Sequence, residues 1–189
     1  QQWNATSETR VMLYVGRLSP EKEVEVVVNA YIAMKQTSQQ NIKLVIVGDG
    51  PDRSRLEVLC EGHDVIFMGN LTGLNLAQAY ASANVFVFAS QVETFGNVVL
   101  EAMASGLPVI AYDYASAHLH VKNGETGWLS PLGQIDKLIQ SIHHLPNNQQ
   151  LKIMGIQARE TVLNVGWQHP VRQFEQALYG VAREIKMTS

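Results

Sequence analysis

The sequence predicts a doubly wound α/β domain: a parallel sheet of about six strands, helices on both of its faces, and further helices at the carboxyl end. Short β-branched runs alternate with longer stretches of helical period, and that alternation calls for parallel strands joined by right-handed crossovers. The strand-like runs are mostly continuous in apolar residues rather than apolar at every second position, as expected of strands covered on both faces. Gly or Pro stands at several boundaries and separates one element from the next.

In chain order, residues 11–15 form the first strand and 24–35 the first helix. Runs at 43–47, 65–68, 85–89 and 109–112 supply four more strands, rich in the β-branched and aromatic residues that suit a pleated, buried surface. Helices over 53–60, 74–82 and 96–105 fall between them. A shorter sixth strand is predicted over 126–129, after the Lys122-Asn123-Gly124 turn, and helices follow over 135–144, 149–163 and 171–185. The breaks at Pro146-Asn147-Asn148 and at 166–170 read as ordinary helix connections. Residues 1–10 are a linker or tail, 11–165 the sheet domain, and 166–189 a terminal helix in which Trp167, Phe174 and Leu178 serve packing.

Composition narrows the function. A chain of 189 residues that is 46% hydrophobic is long enough for one well-packed domain. A net charge of -3 leaves no basic surplus for a nucleic-acid backbone, so any anion must be bound locally. No apolar run reaches the length of a membrane span and Gln1-Gln2-Trp3-Asn4 is unlike a secretory signal, which makes a soluble domain the expectation. Cys60 is the sole cysteine; it reads as a small core residue, and a reducing compartment is the simpler setting.

Open parallel sheets bind ligands beyond the carboxyl ends of their strands, and the polar signal of this chain collects there. Gly16-Arg17 follows the first strand, Gly48-Asp49-Gly50-Pro51 the second, Gly69 the third, residues 90–93 the fourth and Asp113 the fifth. The stretch Glu93-Thr94-Phe95-Gly96-Asn97-Val98-Val99-Leu100-Glu101 sets two carboxylates eight positions apart around a helix start. Helical side chains tilt toward the N-terminus, so Glu101 is expected to lean back toward the mouth where Glu93 sits. The free N–H groups of the first turn face the same mouth, which then offers donors to an anion and acceptors to hydroxyls. That combination suits a phosphorylated sugar. In the loop after the first strand, Arg17 and Lys22 place a planar fork and a point charge five residues apart, where both reach a diphosphate. Two paired acids would also serve a glycosidase, but the nearby cations favour a nucleotide sugar.

Other motifs carry less. The first strand-helix turn has no Gly-x-Gly-x-x-Gly, which argues against the usual dinucleotide site, and no Gly-Lys-Ser/Thr makes Gly48-Asp49-Gly50 a phosphate loop. Gly48-Asp49-Gly50 is either a tight turn needing positive φ or a contact to the nucleoside end. His118-Leu119-His120 would chelate a metal from an extended segment, but nothing completes a site, so no metal is assigned. His143-His144 marks a helix C-terminus.

Taken together, these residues resemble the carboxyl-terminal half of the GT-B retaining glycosyltransferases called group 1. The resemblance spans residues 11–185 and rests on Gly-Arg-Leu-Ser-Pro-Glu-Lys at 16–22, Val-Gly-Asp-Gly-Pro at 47–51, Phe-Met-Gly-Asn-Leu at 67–71, the Glu93 to Glu101 stretch, and Ala-Ser-Gly-Leu-Pro-Val-Ile-Ala at 104–111, in the family's order. It implies a Rossmann-like nucleotide-sugar-binding domain. By the resemblance, Arg17 and Lys22 hold the donor diphosphate, with Gly16 beside them in the substrate-binding set, Glu93 contacts hydroxyls of the transferred sugar, and Glu101 contacts the ribose. Thr94, Phe95, Gly96, Asn97 and Val98 would line the sugar and phosphate pocket, with Arg17, Lys22 and Glu93 the catalytic set. Two departures stand out. Asp113-Tyr114-Ala115-Ser116-Ala117 replaces the family's Gly-Gly-x-Pro-Glu loop, resembling a variant found in members that move mannose or glucose onto lipids or sugars, and Asn84 stands where Asp is common, which alters a cap rather than the chemistry.

The resemblance implies transfer of a hexose, mannose or glucose, from a UDP or GDP sugar to an acceptor lipid or saccharide, with retention and without cofactor or metal. The family's amino-terminal acceptor domain is absent, so this chain is expected to be the donor half, folded but inactive alone. The cytoplasm is the expected location, with peripheral membrane attachment of the full-length enzyme as a variant. A sugar-nucleotide epimerase of the same fold and a non-catalytic nucleotide-binding module remain as alternatives.

Overall fold

In the computed structural model, which describes residues 2–6, 8–37, 41–93 and 96–163, six parallel strands form one sheet. In chain order the elements are β1 (Arg10–Val15), α1 (Val24–Thr37), β2 (Ile42–Val47), α2 (Arg53–Leu59), β3 (Val65–Phe67), α3 (Gly73–Ala81), β4 (Val85–Phe88), α4 (Asn97–Ala104), β5 (Val109–Tyr112), α5 (Ala115–His120), β6 (Gly127–Ser130), α6 (Ile135–His143) and α7 (Asn148–Val162). The sheet order is β3-β2-β1-β4-β5-β6, so the strand order reverses between β1 and β4. A crevice opens at the carboxyl ends of such a pair.

β1, β2, β4 and β5 are buried almost without interruption, which explains their continuous apolar sequence. The edge strands β3 and β6 are only partly buried. Register at the start of β1 is fixed by Asn84, whose Oδ1 accepts from the Val11 N–H at 2.7 Å while its own N–H donates to the Val11 carbonyl at 2.9 Å. Its role is a cap, as the sequence implied.

The rim is assembled by glycines. Gly48 has φ +137°, and a Cβ placed there would lie 1.8 Å from the Gly16 carbonyl oxygen; one at Gly50 would lie 2.2 Å from the Leu18 carbonyl oxygen. Backbone bonds from Leu18 N–H to Asp49 O, from Asp52 N–H to Leu18 O and from Gly48 N–H to Gly69 O lock the loops after β1, β2 and β3 into one wall. The tight-turn reading of Gly48-Asp49-Gly50 is therefore met, with close backbone approach as the added reason.

α5 departs from expectation. The sequence reads 113–117 as a loop and 118–120 as extended, whereas Ala115–His120 is a short helix entered through Ala115 at φ 48°. Six residues are too few to display a helical period. Ahead of β1, Trp3 packs partly buried against the core, and Thr9 folds back through its hydroxyl to the Thr6 N–H at 3.0 Å. Cys60 is buried, and burial pushes its thiol up to about 11. The terminal helix predicted over 166–189, with Trp167, Phe174 and Leu178, lies outside the described residues. Among those described, no helix is long and apolar enough to cross a membrane.

Candidate functional site

The site forms where the β1–α1 turn meets the β4–α4 loop. Pro20–Lys22 makes one turn of 3-10 helix, with the Lys22 N–H donating to the Ser19 carbonyl at 3.0 Å. That turn throws Lys22 across the sheet edge. Its ammonium forms a close ion pair with Glu93 and donates to the Val92 carbonyl at 2.8 Å and to Ser90 Oγ at 3.3 Å. Both side chains are largely shielded, 18% and 14% exposed, so their mutual attraction is stronger than on an open surface. The ammonium also sits 5.9 Å from the centre of the Phe88 ring, within cation–π range.

Arg17 leaves the same turn and is exposed. Its carbonyl accepts from the Tyr14 hydroxyl at 3.1 Å, but among the described residues its guanidinium has no hydrogen-bond acceptor. Its positive charge and that of Lys22 help hold Glu21 below the usual carboxylate range, although the main cause is the hydroxyl of Ser19. Burial raises the Tyr14 phenol, with Glu93 and Glu21 adding to it.

Gly96 caps α4 in the left-handed region, φ 65° and ψ 40°. A Cβ there would meet Ser116 Cβ at 3.0 Å and Glu93 Cγ at 3.9 Å. The missing side chain therefore keeps open a hollow lined by Phe88, Ser90, Glu93, Tyr112 and Ser116. The Ser116 hydroxyl is buried and has no hydrogen-bond partner among the described residues. Asn97 and Val98 begin α4, and first-turn N–H groups have no acceptor inside their own helix. Thr94 and Phe95 lie outside the described residues.

Glu101 is placed differently from Glu93. Four residues after Asn97, it lies ~6 Å further along the helix axis; it is exposed, and its Oε2 accepts from the Tyr80 hydroxyl of α3 at 2.9 Å. The hollow beside Gly96 is lined by Glu93 and not by Glu101. The structure thus joins Lys22 to Glu93, keeps Arg17 and Gly16 in the same turn, and sets Glu101 on α4 against Tyr80 of α3, outside the hollow that Glu93 lines. Lys22 already neutralises Glu93 within the protein. Tyr80, 3% exposed, is raised by burial and then by Glu101, which keeps the phenol a donor.

Several contributors carried no sequence signal. Tyr80 stands in another helix, Ser116 in the unexpected α5, and Glu23 directly after Lys22, where no motif marks it.

The histidines of α5 are corrected by its helicity. Residues two apart on a helix do not share a face, so His118 and His120 cannot chelate as they would from a strand. His118 Nδ1 instead pairs with Asp113 at 2.7 Å. Among the described residues no group of three His, Cys, Asp or Glu is arranged for a metal. Burial holds His120 below its ordinary value. The unfolded chain then binds the proton more readily, so stability is full above pH ~6.5 and falls as pH drops from there toward the lower folded-state value. Thermal unfolding followed from pH 7.5 to 5.5 is expected to show that decline, and His120→Gln to flatten it.

Comparison with known proteins places these features in context. The model of the family described as glycosyl transferases group 1 matches residues 1–161. A sulfoquinovosyl transferase of Arabidopsis thaliana is 32% identical over 183 residues, which cover 95% of this chain and 35% of that protein. A GDP-mannose-dependent alpha-mannosyltransferase of Mycobacterium tuberculosis is 39% identical over 155 residues, 82% of this chain and 38% of that one. Among solved structures, sucrose-phosphate synthase of Thermosynechococcus elongatus matches with TM-score 0.78 and 31% identity over 100% of this chain and 48% of its own. Anabaena HepE in complex with UDP and glucose shares the fold with TM-score 0.73 at 22% identity, over 92% of this chain and 49% of its own. The chain thus spans between a third and a half of the length of these proteins.

Proposed function

The chain belongs to the group 1 glycosyl transferases, and from that membership we propose that it forms the donor half of an enzyme moving a hexose from a nucleoside-diphosphate sugar to an acceptor hydroxyl, with retention at the anomeric carbon. The observation that carries this reading is Lys22 held against Glu93 at the strand-order reversal, beside the open start of α4.

Breaking the anomeric bond leaves charge on the departing diphosphate. Lys22 would exchange Glu93 for the phosphate, Arg17 would close on it from solvent, and the N–H groups of Asn97 and Val98 would add the positive end of the helix dipole. In this scheme those groups occupy the place of a divalent ion. Glu93, released by Lys22, is then free to accept from sugar hydroxyls at the mouth beside Gly96. Glu101, with one oxygen fixed by Tyr80, presents the other to a ribose hydroxyl.

Mannose or glucose is the proposed sugar and UDP or GDP the carrier. A relative named for GDP-mannose and a neighbour solved with UDP and glucose support that range. We place the acceptor, a lipid or saccharide, on a separate amino-terminal domain, since the relatives are two to three times as long. A cytoplasmic enzyme with a peripheral membrane contact fits such an acceptor. Epimerisation finds no support, because the relatives are named as transferases.

Calorimetry of this chain with UDP, GDP and their glucose and mannose esters tests the reading. Binding of one nucleotide class, weakened by Arg17→Ala, is expected; binding of none would overturn it.

A further inference from the structure

Glu23 follows Lys22 directly and has the left-handed backbone, φ 46° and ψ 38°. A residue with a Cβ adopts that conformation at a cost and keeps it only where its surroundings overdetermine it. The surroundings here are specific. Gln91 Nε2 donates to Glu23 Oε1 at 2.6 Å and the Tyr112 hydroxyl donates to Oε2 at 2.9 Å. One carboxylate therefore ties the β1–α1 turn to both the β4–α4 loop and the end of β5. Burial raises the Tyr112 phenol, with Glu23 adding to it, so Tyr112 stays a donor.

The same two loops are joined again by Lys22, through Ser90, Val92 and Glu93, and by the Gln91 N–H, which donates to the Glu21 carbonyl at 3.3 Å. The two side-chain links differ in what substrate does to them. If Lys22 turns to a diphosphate, its link to Glu93 opens. The Glu23 link uses none of the groups that would face phosphate, and it stays closed.

We infer that Glu23 is a positioning residue for the donor site, holding the turn that carries Lys22 in register with residues 90–93 while Lys22 exchanges partners. This rests on the proposed function. The strained backbone follows from the role, because a glycine would relax the turn but leave Gln91 and Tyr112 with nothing to hold.

The test is calorimetry of UDP and GDP binding to this chain and its variants, with thermal unfolding run alongside. Glu23→Ala is expected to weaken the bound diphosphate about tenfold, within the range of couplings between neighbouring residues. Glu23→Gly should weaken it equally although its backbone strain is relieved, and Glu23→Gln, which keeps an oxygen for Tyr112, should restore most of the affinity. The loss should vanish in the Lys22→Ala background, because Glu23 acts through Lys22. Should Glu23→Ala fail to fold, Tyr112→Phe removes one arm of the link and is expected to show a smaller loss with the same dependence on Lys22. Undiminished affinity in Glu23→Ala and Glu23→Gly, or a loss that persists in full without Lys22, would overturn the inference while leaving the proposed function intact. A wild-type chain that binds neither nucleotide would overturn both.

Discussion

Lys22→Ala is expected to weaken diphosphate binding, and donor use by an enzyme carrying this domain, by about two orders of magnitude, since a contact to developing or full anionic charge contributes ~3 kcal/mol. Lys22 is the cation already aimed across the crevice, fixed by three oxygens of the β4–α4 loop. Its removal has a second consequence. Glu93, 14% exposed, loses its counter-charge at the place where phosphate would bind, so an attractive wall becomes a repulsive one. The affinity loss should therefore exceed that of Arg17→Ala, whose exposed guanidinium has no hydrogen-bonded partner to abandon among the described residues. Raising the salt concentration should narrow the gap between wild type and Arg17→Ala more than that between wild type and Lys22→Ala, because screening acts mainly on exposed charge. Calorimetry at two ionic strengths checks both statements.

Gly48→Ala is expected to give the largest stability loss of any single methyl added to this chain's rim, ~3 kcal/mol or more, or a melting temperature lower by roughly 6–12 °C. The added carbon would lie 1.8 Å from the Gly16 carbonyl oxygen, and the backbone there is at φ +137°. Neither neighbour is the end of a flexible side chain, so the β1 and β2 loops must separate to admit it. Gly62→Ala is the matched control: φ is +77° but nothing lies within 4 Å of the new methyl, and only the left-handed penalty of ~1–2 kcal/mol applies. Thermal unfolding of the two variants side by side separates a positive-φ glycine in open space from one that is both clashing and further from the left-handed region. A Gly48→Ala variant as stable as Gly62→Ala would show that the rim yields where it is described as locked.

Much of this was legible in the sequence because burial on both faces leaves a mark. The runs that became β1, β2, β4 and β5 are apolar except for Arg10 and Lys43 near the starts of β1 and β2, and their ends moved by a residue at most. The strand-helix alternation puts the loops of Lys22 and Glu93 on one rim, although their ion pair is read only from the structure. The remaining features leave no such mark. α5 is too short for a period, and its entry through Ala115 at φ 48° runs against local preference. Tyr80 reaches Glu101 from a helix 21 residues earlier, a meeting set by packing rather than by spacing. Glu23 looks like any solvated acid beside a lysine; only the turn it closes gives both of its oxygens partners.

The most direct measurement is a titration of the isotope-labelled chain with UDP- and GDP-sugars, read from the backbone amide signals. Shifts concentrated at Gly16, Arg17, Lys22, Glu93, Asn97 and Val98, extending to Glu101, are the predicted result. Shifts confined to the far end of the sheet or to α7, or no shifts with any nucleotide sugar, would contradict a donor site at the β1–β4 crevice.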